Sequence, residues 1–234
     1  MEYESISSGI FLRRPNRFVA EIEINGVIKR CHVKNTGRCK ELLVPGAKVY
    51  VNGSSNPHRS TQYDLVSVWK GQRLINIDSQ APNKSFGEYL RQGKYVKDIA
   101  WVKPEAKYGS SRFDFAFETA GSKAFAEVKG VTLEEGNAAL FPDAPTQRGV
   151  KHLRELARCV ADGYDAHAIF VIQMQGVSYF TPNAAMHPAF SEALEDAVRA
   201  GVKACAFDCV ISENTMTIGN PVPIRLANQH RFEC

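Results

Sequence analysis

The 234-residue chain has no apolar run near the roughly 18 residues that a membrane-spanning helix requires. Its opening, MEYESISSGI, is acidic and polar, and neither a basic start nor an apolar stretch marks a secretory leader. Six cysteines occur, at Cys31, Cys39, Cys159, Cys205, Cys209 and Cys234, yet none forms a C-x-x-C pair and no framework spacing links them. That disfavours both a disulfide scaffold and a zinc site, and Cys205 and Cys209, inside VKACAFDCVI, read as small core hydrophobes. A G-x-x-x-x-G-K-[ST] phosphate loop, a Ser-His-Asp arrangement, internal repeats and low-complexity segments are all missing. These absences point to a cytoplasmic globular protein with no membrane partner and no organic cofactor.

What is present supports a real core: 44% hydrophobic and 23% charged residues exclude a disordered chain. The length allows one large domain or two small ones. Charge is unevenly placed. Residues 1–80 hold 12 Lys/Arg against 7 Asp/Glu, whereas residues 81–234 hold 17 against 18. A one-sided basic surface is the electrostatic footprint of a polyanion partner, and equally of a solvated face with none. Under the first reading Arg13, Arg14, Arg17, Lys34, Arg38 and Lys40 are the phosphate-contact candidates.

Periodicity divides the chain at the same place. Over residues 1–80, Phe18, Ala20, Ile22 and Ile24 alternate with Val19, Glu21 and Glu23, and Asn25-Gly26 signals a hairpin returning through VIKRCHV. PGAKVYV, YDLVSVW and LINI add short strands, so about five strands without a long helix predict an OB-like barrel, an architecture that often binds oligonucleotides. From residue 81 the order becomes β–β–β–α–β–α–β after a short helix in APNKSFGEYLRQG. The segment EEGNAALFPDAP reads as a polar loop, and TQRGVKHLRELARCVADG as a helix with Val150, Leu153, Ala157 and Val160 on one face, stopping at Gly163. This predicts an α/β domain over 81–234 with a mixed central sheet.

The strands SRFDFAFE and AFAEVKG carry the sharpest chemistry. Strict alternation places Phe113, Phe115 and Phe117 on one face and Asp114 on the other, while Glu127 and Lys129 share a face opposite Ala126 and Val128. Two carboxylates and an ammonium converging on one patch suit Mg²⁺ or Mn²⁺, which takes one or two carboxylates plus water and phosphate. Asp114 and Glu127 are then metal ligands, the Val128 carbonyl a further one, and Glu105 an upstream carboxylate. Lys129 would orient water or stabilise developing charge in phosphodiester hydrolysis. The competing reading is a cross-strand ion pair on a solvated face, worth a few tenths to about 1 kcal/mol. Arg148, Lys151, His152 and Arg154 form either a phosphate-facing layer or the ordinary polar side of a helix. His152 itself is expected to be at the surface or half-buried. Asn35-Thr36-Gly37 reads as a polar turn, either at a nucleic-acid edge or merely between strands. Tyr50, Tyr63 and Trp69 are candidate base-stacking platforms, with core packing expected for at least two.

The array Asp114, Glu127 and Lys129 resembles the PD-(D/E)xK nuclease superfamily, with Phe113 standing where that pattern has proline. HVKNTGRCKELLVPGAKV, EAKYGSSRFDFAFE, AEVKGVTL and FPDAPTQRGVKHLREL resemble the SfsA (sugar fermentation stimulation) family over most of the chain. The resemblance implies an N-terminal OB-like domain and a C-terminal nuclease-like α/β domain. It also implies non-specific DNA binding and a regulatory role in sugar (maltose) metabolism, and it puts a nuclease-type site on Asp114, Glu127 and Lys129 with Glu105 upstream. Whether that site cuts DNA or only helps to bind it stays open at this point.

Overall fold

A computed structural model describes every residue except Thr36, Arg38 and residues 228–234. The chain begins with β1 (Ile6–Asn16), β2 (Val19–Ile24), β3 (Val27–Val33), β4 (Lys48–Gly53), β5 (Tyr63–Lys70) and β6 (Arg73–Asn76). Asn25 and Gly26 both adopt positive φ, 51° and 76°, as a two-residue hairpin matched to strand twist requires. Ala20, Ile22 and Ile24 point inward as the alternation predicts, but Phe18 lies in the β1–β2 turn region and is 44% exposed. Irregular register after Phe11 bends β1, so that one strand pairs with both β2 and β4. A parallel pairing of β3 with β5 then closes a five-stranded barrel, which β6 extends. Gly9 sits where the wall is tightest: a Cβ there would lie 2.6 Å from Ile22 Cγ2 and 2.7 Å from the Glu23 carbonyl.

The second domain opens with α1 (Ala81–Arg91), followed by β7 (Ile99–Tyr108), β8 (Ser111–Thr119) and β9 (Ser122–Val131) as an antiparallel meander. The polar segment expected to be a loop is instead a small hairpin, β10 (Leu133–Glu135) and β11 (Ala138–Phe141). Its strands are too short for alternation to register, and Gly136 and Asn137 supply the positive φ of the turn. Then come α2 (Gln147–Ala161), β12 (Asp165–Ile172), β13 (Tyr179–Pro182), α3 (Pro188–Arg199), β14 (Lys203–Ile211) and β15 (Met216–Val222). The main sheet runs β15-β14-β12-β9-β8-β7, with β9, β12 and β14 parallel in the middle and antiparallel strands at the edges. It is a mixed α/β sheet.

Both crossovers pass through helices on one face, α2 and α3, while α1 covers the other. Two apolar layers follow. Phe113, Phe125, Leu153, Leu156 and Phe170 join the α2–α3 side and run on into the barrel interior. Phe86, Phe115, Phe117, Ile169 and Phe207 fill the α1 side. In α2 the Thr146 hydroxyl caps the first turn by accepting from the Gly149 amide at 3.1 Å, and the helix ends just before Gly163 as expected. Val150 and Leu153 are buried, with Ala157 and Val160 at the margin. Cys31, Cys39, Cys159 and Cys209 are free and buried. Burial pushes the Cys31 and Cys39 thiols up to about 12, so they behave as core hydrophobes. Among the described residues no helix is long and apolar enough to cross a membrane.

Candidate active site

The β8–β9 ladder ends at Phe115↔Ala126, one residue before Asp114. Beyond it the strands part. Asp114 turns its carboxylate into the gap, accepting from the Val128 amide at 2.7 Å and from Asn83 Nδ2 of α1 at 2.7 Å. The slip also breaks the expected alternation. Phe113 packs on the α2 side near Phe125 and His152, whereas Phe115 packs on the α1 side against Phe86 at 5.8 Å. The three phenylalanines therefore do not share a face: replacing a ladder pair by a side-chain hydrogen bond inserts one residue into the phase.

Glu127 and Lys129 do share a face, that of Phe125 and α2, as alternation requires. Glu127 Oε1 accepts from both Lys129 Nζ and His152 Nδ1. Its other oxygen, Oε2, is buried with no hydrogen-bond partner. Burial pushes this carboxyl upward, but His152 and Lys129 outweigh it and hold Glu127 below the usual carboxylate range. Asp114 moves the opposite way, raised first by burial and then by the charge of Glu127, against the Val128 amide, Lys129 and Asn83. Adjacent carboxyls driven apart in this way are what acid–base or metal chemistry exploits.

His152 is 4% exposed, not at the surface. It lies one position off the predicted apolar stripe, so helical periodicity assigns it to the polar side. An ionised Glu127 can only accept, so Nδ1 carries the proton; Nε2 in turn receives Arg148 Nε at 3.5 Å. The ring is thus fixed between the carboxylate and an arginine.

Glu105 does not join this group. It is exposed on β7 at φ 52°, where its carboxylate meets Arg112 at 3.4 Å. Among the described residues no three His, Cys, Asp or Glu side chains gather as a ready metal cage.

The barrel candidates are mostly engaged by the chain itself. Arg13 pairs with Glu21 at 2.7 Å and 3.0 Å. Arg14 donates to the carbonyls of Gly37, Arg17 and Asn35, and Asn35 Oδ1 also accepts from the Gly37 amide; Thr36 between them lies outside the described residues. Arg17 lies over the Phe18 ring at 4.6 Å. Lys34 bridges Asp64 at 3.3 Å and Asp78 at 3.1 Å. Lys40 is exposed, and Arg38 lies outside the described residues. Tyr50 is buried with its hydroxyl on Glu213 at 2.6 Å, and Tyr63 and Trp69 are half-buried against the core.

The feature that domain-level charge counting missed is on α2. A cleft of about 770 Å³ is lined by Arg112, Arg148, Lys151, Arg154 and Arg158, with His152 in its wall. Acidic residues elsewhere in the domain cancel these cations in any sum over 81–234, although their i, i+3 and i+4 spacing on one helix was visible.

With this geometry in place, comparison with known proteins is informative. Residues 12–77 match the model of the SfsA N-terminal OB domain, and residues 80–215 match that of the sugar fermentation stimulation protein RE domain. A sugar fermentation stimulation protein homolog of Ruminiclostridium cellulolyticum is 55% identical over 97% of this chain and 100% of its own length. A homolog from Desulfitobacterium hafniense is 53% identical over 97% and 99%. The fold is similar to that of Pyrococcus furiosus SfsA, solved in complex with Ca²⁺, at TM-score 0.87 and 30% identity over 96% of this chain and 98% of that one. Two matched domains in the same order and near-complete coverage place this chain in the SfsA, or sugar fermentation stimulation protein, family.

Proposed function

We propose that this chain binds DNA through phosphate contacts and that Asp114, Glu127 and Lys129 form a divalent-cation site for phosphodiester hydrolysis. One observation carries the reading: Glu127 Oε2 is a buried anionic oxygen with no donor, beside the half-buried carboxylate of Asp114, and its carboxylate is bonded to His152, which lines a basic cleft. An unsatisfied buried charge is expensive, and a Mg²⁺ or Mn²⁺ ion would satisfy it. Asp114 and Glu127 would hold the ion; Glu105 is not placed to help. The Pyrococcus furiosus relative was solved with Ca²⁺, another oxygen-seeking divalent cation. Such an ion would supply Lewis-acid activation of water and phosphate.

The remaining roles belong to the chain. Asn83 and the Val128 amide fix Asp114, and His152 fixes Glu127 through its Nδ1–H. Lys129 places an ammonium where charge develops on the transferred phosphate. Arg148, Lys151, Arg154 and Arg158 hold neighbouring phosphates, contacts that position nucleic acid without reading its sequence. A regulatory part in sugar (maltose) metabolism would then run through this non-specific binding.

A binding-only role is favoured by a single fact, namely that Lys129 and His152 already occupy Glu127 Oε1 as hydrogen-bond donors. Gel-resolved cleavage of labelled DNA in excess Mn²⁺ separates the two. Lys129→Ala should lose roughly 10²- to 10³-fold in turnover, by analogy with removal of one transition-state donor, with DNA affinity unchanged within about twofold. Asp114→Asn should behave likewise and lose its metal dependence. Equal trace cutting by wild type and both variants would defeat the enzyme reading and leave the binding role.

A further inference from the structure

On the face of the sheet that carries Glu127 and Lys129, α2 lies over β9 and β12 but leaves much of β7 and β8 uncovered. Cross-strand register builds the exposed rows. Trp101 faces Glu118, which faces Lys123, and the next row is Lys103, Ala116 and Phe125. Along β9 the same side continues from Lys123 through Phe125 and Glu127 to Lys129. The result is a groove of about 280 Å³ whose floor is Ala116 and Phe125 and whose rim carries Trp101, Lys103, Lys107 and Lys123. Arg112 lines both this groove and the α2 cleft, so the two basic channels meet at one guanidinium.

Trp101 is 37% exposed on the edge strand β7, one of several exposed large apolar side chains and, with Phe18, one of the aromatic ones. Its indole N–H donates to Glu118 Oε2 at 2.8 Å, which holds the ring at its edge and leaves its orientation set before any ligand arrives. Lys123 lies over the rings of Phe125 at 5.0 Å and Tyr164 at 5.6 Å, and is thereby held at the groove wall. Carboxylates are present as well, Glu105 within the groove and Glu118 beside it, but each already has a partner, Arg112 and Trp101 respectively. A pre-oriented aromatic face alternating with ammonium groups is how proteins hold single-stranded nucleic acid, the ring stacking a base and the cations following the backbone. The groove has roughly a third of the volume of the α2 cleft, room for a splayed nucleotide and too little for a duplex.

We infer that the β7–β8 face is a path for single-stranded nucleic acid, in which Trp101 stacks a base and Lys103, Lys107 and Lys123 track phosphates toward Arg112 and the α2 cleft. This rests on the proposed nucleic-acid binding but not on cleavage, so its test is run in EDTA. The chain has two tryptophans, and Trp69 lines a different groove, so a change in emission on binding at this face reports on Trp101. Titration with a twelve-nucleotide oligo-dT should quench wild-type fluorescence. Trp101→Ala should abolish most of the quenching and weaken single-strand affinity about tenfold, with duplex affinity within twofold, and Trp101→Phe should restore most of the affinity. Lys103→Gln combined with Lys107→Gln should lower the log–log salt slope by about 1.4 for the single strand. Single-strand binding by Trp101→Ala equal to wild type, with an unchanged slope in the lysine pair, would overturn the path while leaving duplex binding in the α2 cleft standing. Failure of the wild type to bind either form would overturn the path and the DNA-binding reading together.

Discussion

Lys34 of the barrel and Lys151 of α2 carry the same ammonium on the same stem, yet the fold uses them differently. The Lys34 side chain is 19% exposed and sits between two carboxylates, Asp64 and Asp78, that are themselves 8% and 1% exposed. Lys151 is 55% exposed, and its one carboxylate partner, Glu155, is a loose 3.7 Å away. The same contrast separates Arg14, whose guanidinium donates to three main-chain carbonyls, from Arg154, which lines an open cleft. The barrel thus uses several of its cations as internal fasteners, and the second domain presents its cations to solvent. Net charge per domain, which favours the barrel as the polyanion site, does not distinguish these two uses. What a phosphate feels is cations with hydration to exchange: Arg148, Lys151, Arg154 and Arg158 are exposed in a row on α2, and on the barrel Lys29, Arg30, Lys40 and Lys48 are exposed as well.

The sharpest way to break this comparison is to remove a fastener. Lys34→Ala leaves Asp64 and Asp78 buried with less compensation, although Arg59 and His32 remain on Asp64, and Tyr3 and the Gln80 amide on Asp78. Breaking a buried pair from one side costs about 3 kcal/mol or more. Chemical denaturation should therefore show a loss of that size, with the salt dependence of DNA binding by the folded variant unchanged. If Lys34→Ala keeps wild-type stability and flattens the salt slope, Lys34 is a phosphate contact and the comparison collapses. Asp64 adds a pH signature. Burial pushes it up, but Arg59 and Lys34 prevail and hold it below the usual carboxylate range. Its contribution is therefore full above the unfolded pKa of about 3.9 and lost as pH falls through the lower folded value.

A second experiment probes the buried titratable group of the other domain. His167 on β12 is 3% exposed, with Nδ1 at 2.7 Å from the Tyr95 hydroxyl, and it faces Phe117, Asp165 and Lys203. Burial, aided by Lys203 and opposed by Asp165, lowers its pKa from 6.5 to about 4. Between those values the unfolded chain binds a proton that the folded chain does not. Stability therefore falls as pH drops from 6.5 toward 4, by about 3 kcal/mol at most. His167→Gln should flatten that interval in urea titrations at stepped pH. An equally steep fall in the variant would assign the acid sensitivity elsewhere.

These contrasts also mark where sequence is a good guide. Asn25-Gly26, the alternation of Ala20, Ile22 and Ile24, and the Thr146 and Gly163 limits of α2 are local signals, written within a few residues of the structure they specify. Sharing of a face by Glu127 and Lys129 follows from the pleat alone. The slip at Asp114 does not, because Phe113, Phe115 and Phe117 alternate without interruption. Only the distant Val128 amide and Asn83 show that Asp114 has left the ladder. His152 is hidden for a related reason: a histidine among Arg148, Lys151 and Arg154 has polar neighbours in sequence, and its burial depends on Glu127, 25 residues away. The roles of Lys34 and Arg14 depend on partners as far as 44 residues off and on carbonyls, which every residue has. What stays illegible is long-range compensation of charge.

The smallest expected effect tests the positive half of the comparison. Lys151 and Arg154 are exposed on α2, and neither is needed to hold the helix: Thr146 caps it, and Val150, Leu153 and Leu156 bury it. Replacing both with Gln removes two phosphate partners and should leave the melting temperature nearly unchanged. Each lost contact lowers the log–log salt slope for duplex DNA by about 0.9, so the double variant should be shallower by about 1.8. The matched control is Arg13→Gln with Arg17→Gln on the barrel. Arg13 is tied to Glu21 and Arg17 stacks on Phe18, so on the present reading their loss shifts the slope by less than half as much. Filter binding at stepped salt measures both pairs. A steeper loss for the barrel pair would move the DNA back to the first domain. Equal losses would mean that one duplex spans both, with Arg13 and Arg17 of the barrel and the α2 cleft as two ends of a single track.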